Sequence, residues 1–182
     1  MGSPKALLRL ADGTTFLARI IGLLAPFAPE IVIVTGRHHD AIVAAGEVSS
    51  PASVHFARNP DPDRGQLSSL WIGMDAVVRP ETQAILMTLV DVPMIAPETV
   101  AAVIDAWRQT RAPIVRPAIG ARHGHPVIFD RAVFDELRSA PLQGGAKPVV
   151  HAHAAALVNV PVDDEGCLSD VDTPEEYRQL LG

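Results

Sequence analysis

Cysteine is nearly missing from this chain of 182 residues: Cys167 stands alone, which excludes an internal disulfide and any thiolate metal cage. Lysine is almost as scarce. Thirteen of the fifteen basic residues are arginine, and only Lys5 and Lys147 are lysine. Arginine therefore carries the general positive charge; the bias reads either as a GC-rich genome or as two lysines kept where a compact ammonium matters. No apolar run approaches the roughly 20 residues of a bilayer span, and no charged-then-apolar secretory pattern is legible. Basic excess is lacking too. The net charge of −6 argues against a duplex-binding surface, because phosphate backbones are held by clustered Lys and Arg. Repeats, low-complexity tracts and long linkers are also absent. What remains is 48% hydrophobic and 20% charged, the balance of one soluble globule, expected in the cytoplasm without a membrane or nucleic-acid partner.

What is present is an alternation of strand and helix signals. Asp12-Gly13 turns the chain after the apolar run Ala6–Leu10, and Thr14 or Thr15 caps a helix reaching about Phe27. Ile31–Thr35 (IVIVT) is a β-branched run of the buried, parallel-sheet kind. A helix follows over about His38–Ala45, then a strand at Val54–Arg58 and a long helix at Leu67–Val78. Ala84–Val90 (AILMTLV) is a third buried strand, and Pro97–Thr110 is helical with proline in its first turn. Ile114–Pro117 and Pro126–Phe129 read as strands about a glycine-rich bend. Helices at Arg131–Ser139 and Ala146–Ala154 precede a strand near Leu157–Val160. Thr173-Pro174-Glu175-Glu176 is a capping box that opens the last helix. This order predicts an α/β chain: one three-layer α/β/α sandwich over residues 1–182, with a mostly parallel, Rossmann-like sheet.

In such sheets ligands gather at the carboxyl ends of the strands, so the loops there carry the chemistry. Asp91, in LVDVPMI, follows the most apolar strand. It either holds a hard cation such as Mg2+ or caps the turn before Pro93. The stretch ARNPDPDRGQLSSLWIG runs from a strand into a helix. Gly65 admits close backbone approach, and Ser68, Ser69 and the first N–H groups of the helix offer donors, or else form an ordinary cap. Asp172 lies just before the Thr173 cap and is expected to serve it locally, whereas Asp170 is free to share a cation with Asp91. His125 sits in the bend GARHGHP, whose spacing matches no strong zinc pattern. His151 and His153 are read as surface residues.

Taken in order, K5-x-L-L, N59-P-D-P-D-R-G65-Q-L-S-S69, D91-V-P, G124-H-P, G145-A-K147 and D170-V-D-T-P-E-E-Y resemble one family, the MobA-like nucleotidyltransferases. Within it they are most similar to the molybdenum cofactor cytidylyltransferase branch. The resemblance implies a nucleotide-diphospho-sugar-transferase-like fold. It also implies transfer of a nucleotidyl group, usually CMP from CTP, to the phosphate of molybdopterin with release of pyrophosphate. By position, Asp91 and Asp170 are then the Mg2+ ligands and Lys5 contacts the triphosphate, so that Lys5 and Asp91 are the catalytic pair. Asn59, Gly65, Gln66, Ser68 and Ser69 line the nucleotide pocket, while His125 and Lys147 face the acceptor. The implied partners are the NTP, molybdopterin and a molybdenum hydroxylase.

Two departures stand out. Lys147 occupies a place where the family commonly has arginine, which bears on the acceptor. The family's opening strand and glycine-rich phosphate loop are reduced here to M1-G2-S3-P4-K5. That predicts an unfilled interior strand position between Ile31–Thr35 and Ala84–Val90, and little or no transferase activity. A second reading follows from the same departure: a non-catalytic, molybdenum-cofactor-binding or chaperone-like homologue that keeps only the acceptor half.

Overall fold

A computed structural model describes residues 4–45 and 52–182; Met1–Ser3 of the opening stretch lie outside them. Helix α1 (Phe16–Leu24) begins where expected, with the Thr15 hydroxyl accepting from the amide of Ala18 at 3.1 Å. Strands β1 (Glu30–Thr35) and β2 (Ser53–Arg58) pair in parallel, with α2 (His39–Ala44) between them in sequence. Next come α3 (Gln66–Val77), β3 (Ala84–Met87), α4 (Pro97–Thr110) and β4 (Ile114–Ile119). The hairpin partner β5 (Arg122–His123) leads to β6 (Val127–Asp130), α5 (Phe134–Ser139), α6 (Lys147–Ala152), β7 (Val158–Pro161) and α7 (Pro174–Leu181).

Five strands form the larger sheet in the order β3-β6-β4-β5, with β7 also on β4. Pairing is parallel for β1–β2 and β4–β7, and antiparallel for β3–β6, β4–β6 and β4–β5. Successive side chains face opposite helix layers, as a pleated strand requires. Val115, Ile128 and Leu86 join α1 and α4 in one core, while Ile114, Phe129, Ile85 and Met87 join α3, α5 and α6 in the other. The sandwich is thus three layers deep, in the fold expected from sequence. Each fully buried side chain of this kind contributes about 1.5–3 kcal/mol.

Among the described residues no strand joins β1 to β3, and each heads its own sheet. Side chains alone bridge the junction. Ile31 of β1 and Leu86 of β3 pack in the same core as α1, and α3 crosses β1 so closely that a Cβ on Gly73 would lie 3.2 Å from Val34 Cγ2. Although IVIVT and AILM are the most apolar strands, β1 is only half-buried up to Thr35 and β3 is half-buried throughout.

Several boundaries shift from expectation, α1 ending at Leu24 rather than Phe27 among them, and two of the shifts have a visible cause. Strand β3 stops at Met87 rather than Val90, because the chain turns there, with Val92 N donating to Leu89 O at 3.3 Å. The helix expected from Arg131 starts as a 3-10 turn (Arg131–Val133) held by the Asp130 carboxylate, and becomes α-helical only at Phe134. Among the described residues no helix is long and apolar enough to cross a membrane.

Candidate active site

The antiparallel pairing of β3 with β6 sets Met87 opposite Val127. It therefore brings the loop leaving β3 beside the residues entering β6, Asp91 beside His125. Buried Val92, Pro93 and Ile95 anchor that loop. A third segment arrives after β7. The 3-10 turn Glu165–Leu168 is followed by an extended strip in which Val171 is 4% exposed and its neighbours Asp170 and Asp172 face outward. The amide of Val171 donates to the carbonyl of Asp91 at 2.8 Å, so the two acidic segments lie edge to edge.

Three clamps hold this junction. His125 N donates to Cys167 O at 2.9 Å. The Asp164 carboxylate accepts from Ala96 N, Gly166 N and the Thr99 hydroxyl, at 2.9, 3.0 and 2.7 Å. Two glycines let the backbones touch: a Cβ on Gly124 would sit 2.2 Å from Cys167 O, and one on Gly166 would sit 2.1 Å from Met94 O.

Into the junction reaches Lys5, from the 3-10 turn Lys5–Leu7. Its ammonium donates to Asp91 Oδ2 at 3.1 Å and also to Asp172 Oδ1. Burial pulls the Lys5 amine down, but the hydrogen bonds to Asp172 and Asp91 outweigh it and leave it raised above its ordinary value. Asp91 Oδ1 is buried without a partner, and so are Thr88 Oγ1 and His125 Nδ1. Burial lowers the His125 imidazole, opposed by its bond to the Met87 backbone and by the charges of Asp91 and Asp170. At neutral pH the ring is therefore uncharged.

The remaining expected residues divide into two groups. Asn59 is 4% exposed, and its amide nitrogen donates to Ser68 Oγ and Ser69 Oγ at 2.9 and 3.0 Å. Its oxygen accepts from Asp61 N at 3.0 Å, and the Ser68 hydroxyl donates to Gly65 O at 2.7 Å. Asn59, Gly65, Ser68 and Ser69 thus meet in one internally satisfied knot under the start of α3. Gly65 there has φ +93°, which favours glycine, and Gln66 is exposed as the first helical residue. Lys147 is exposed at the start of α6 and makes no side-chain hydrogen bond or ion pair among the described residues.

Asp172 is the addition. Sequence reasoning gave it a local duty at the cap, but the Thr173 hydroxyl and the Glu176 carboxylate perform the capping, and the Asp172 side chain goes to Lys5. The spacing D-V-D held the signal, since residues two apart in an extended strip share a side.

In a layered α/β domain ligands are taken at the strand-end loops, and here those loops bring carboxylates and a lysine together. The chain is a member of the MobA-like NTP transferase family, whose domain matches residues 1–157. It is similar to the Rv0371c protein of Mycobacterium tuberculosis H37Rv, at 29% identity and a TM-score of 0.81 over 100% of this chain and 90% of that one. The same mycobacterial protein in complex with manganese matches at 28% identity and TM-score 0.78, over 99% and 92%. The molybdopterin-guanine dinucleotide biosynthesis protein A of Archaeoglobus fulgidus shares the fold, at 17% identity and TM-score 0.67 over 99% and 90%. None of the curated proteins matches the chain.

Proposed function

We propose that the chain transfers a nucleotidyl group, CMP from CTP, to the phosphate of molybdopterin and releases pyrophosphate, with a divalent cation at Asp91. The observation that carries this reading is the convergence of Lys5, Asp91 and Asp172 at one strand-end junction. The residues fit a hard cation. Asp91 keeps a buried oxygen without a partner, and Asp170 and Asp172 flank the residue bonded to its backbone. Among the described residues no group of three His, Cys, Asp or Glu could hold an ion alone. Mg2+ commonly takes only one or two protein carboxylates and completes its shell with water and phosphate oxygens. Manganese in the mycobacterial relative supports a divalent ion. When bound, it supplies charge neutralisation at the phosphates.

The chain's own residues do the positioning. An ionised acceptor phosphate attacks the α-phosphorus in line, a new P–O bond forms, and the bond to the departing pyrophosphate breaks, so no general base is required. The Lys5 ammonium is placed to meet the charge that builds on pyrophosphate. In this reading His125 lines the molybdopterin side, and the exposed Lys147 offers that side a charge. The exposed Gln66 and the knot around Asn59 shape the nucleotide side.

Calorimetric titration of CTP, GTP and ATP, with and without Mg2+, tests the nucleotide half. CTP is expected to bind most tightly and only with the metal. For transfer, the chain in excess over CTP and molybdopterin is expected to yield pyrophosphate and a cytidine dinucleotide in a single turnover. Metal-independent nucleotide binding without product would contradict the assignment.

A further inference from the structure

Lys5 occupies the place a cation at Asp91 would take. Its Nζ lies 3.1 Å from Asp91 Oδ2 and bonds Asp172 Oδ1 as well. One ammonium does not complete the site. It carries a single charge against two carboxylates, and it leaves Asp91 Oδ1 buried and unpaired. Such an atom is costly, and a divalent ion with several coordination positions suits it better. Packing does not pin Lys5. Its turn buries only Ala6, and its side chain remains 30% exposed. The cavity of about 230 Å³ that the side chain lines is walled mainly by apolar residues and Arg37, so a displaced ammonium goes to solvent, which it already reaches.

We propose that Lys5 is an exchangeable internal counter-cation: its ammonium and a divalent ion compete for Asp91 and Asp172, and metal binding drives it out. The proposal rests on the metal-site reading above and adds what that reading lacks, the occupant of the metal-free state. A divalent ion on Asp91 and the ammonium at hydrogen-bonding range of Oδ2 repel each other, so each weakens the hold of the other. Charge effects at this range shift an equilibrium about tenfold or more.

The expected result with Mn2+ alone, followed by calorimetry or electron paramagnetic resonance, is that Lys5→Met binds about tenfold more tightly than the wild-type chain. Equal or weaker binding overturns the proposal. A second measurement uses the unaltered protein. Because Lys5 and Lys147 are its only lysines, acetylation of Lys5 can be scored by mass spectrometry against Lys147 as internal standard. Saturating Mg2+ is expected to raise the relative rate at Lys5 severalfold, and an unchanged or lower rate overturns the exchange. Mn2+ binding that survives Asp91→Asn, or is absent from wild type and Lys5→Met alike, removes the metal site and the proposal together. Binding that is lost in Asp91→Asn yet unmoved by Lys5→Met removes the proposal alone.

Discussion

Asp91 makes two contacts and keeps one orphan: its carbonyl accepts from Val171, one carboxylate oxygen accepts from Lys5, and the other is buried without a partner. Removing its charge leaves Lys5 with only Asp172, which is 59% exposed and solvated. Asp172→Asn is therefore expected to weaken Mn2+ binding less than Asp91→Asn, as calorimetry of the two variants would check. Cys167 makes a separate residue-scale case. It is 1% exposed, and burial pushes its thiol up to about 11 from the usual 9.0. The sign follows directly. Above pH 9 the unfolded chain loses this proton while the folded chain keeps it, so the folded state binds more protons and stability falls as pH rises from about 9 to 11. One such group contributes about 1 kcal/mol per pH unit in that window. The difference in urea stability between wild type and Cys167→Ser should appear there and be flat below pH 8.

At the scale of elements, the site depends on close backbone approach. Gly124→Ala and Gly166→Ala push a methyl into a carbonyl oxygen at 2.2 and 2.1 Å, and each is expected to cost about 1–3 kcal/mol in urea unfolding. Gly22→Ala is the control. It lies in α1 with nothing within 4 Å of its added Cβ, so helix propensity alone should stabilise by about 1 kcal/mol. Thr173→Ala removes the hydroxyl that caps α7 and should cost about 1 kcal/mol in the same measurement. The elements were largely legible beforehand, because IVIVT and AILM are compact apolar runs, Pro97–Thr110 opens on a first-turn proline, and the two caps carry their own chemistry. Gly124 was legible only as part of a bend, and Gly166 carried no signal. That Gly124 and Gly166 serve contact rather than turning depends on partners over 40 and 70 residues away in sequence, which no local pattern carries.

Over the whole molecule, the β1–β2 pair is tied to the larger sheet by side-chain packing through α1 and α3, with no hydrogen-bonded strand between them among the described residues. A two-stranded sheet is weak alone. Hydrogen exchange should therefore find the amides of β1 and β2 opening well before those of β4 and β6, and uniform protection across both sheets would refute that. The site was legible in part: Lys5 and Asp91 were expected, but their meeting spans 86 residues and the bond from Lys5 to Asp172 spans 167. Asp172 was hidden by its neighbour, since a residue beside a capping threonine is most simply read as part of the cap.

In the proposed reading the Asp91 carboxylate organises cation-dependent nucleotide binding. Calorimetric titration of CTP in saturating Mg2+ on wild type and Asp91→Asn side by side decides whether it does. Metal-dependent binding by wild type is expected to weaken at least about tenfold in the variant; equal affinity in both proteins would refute that role.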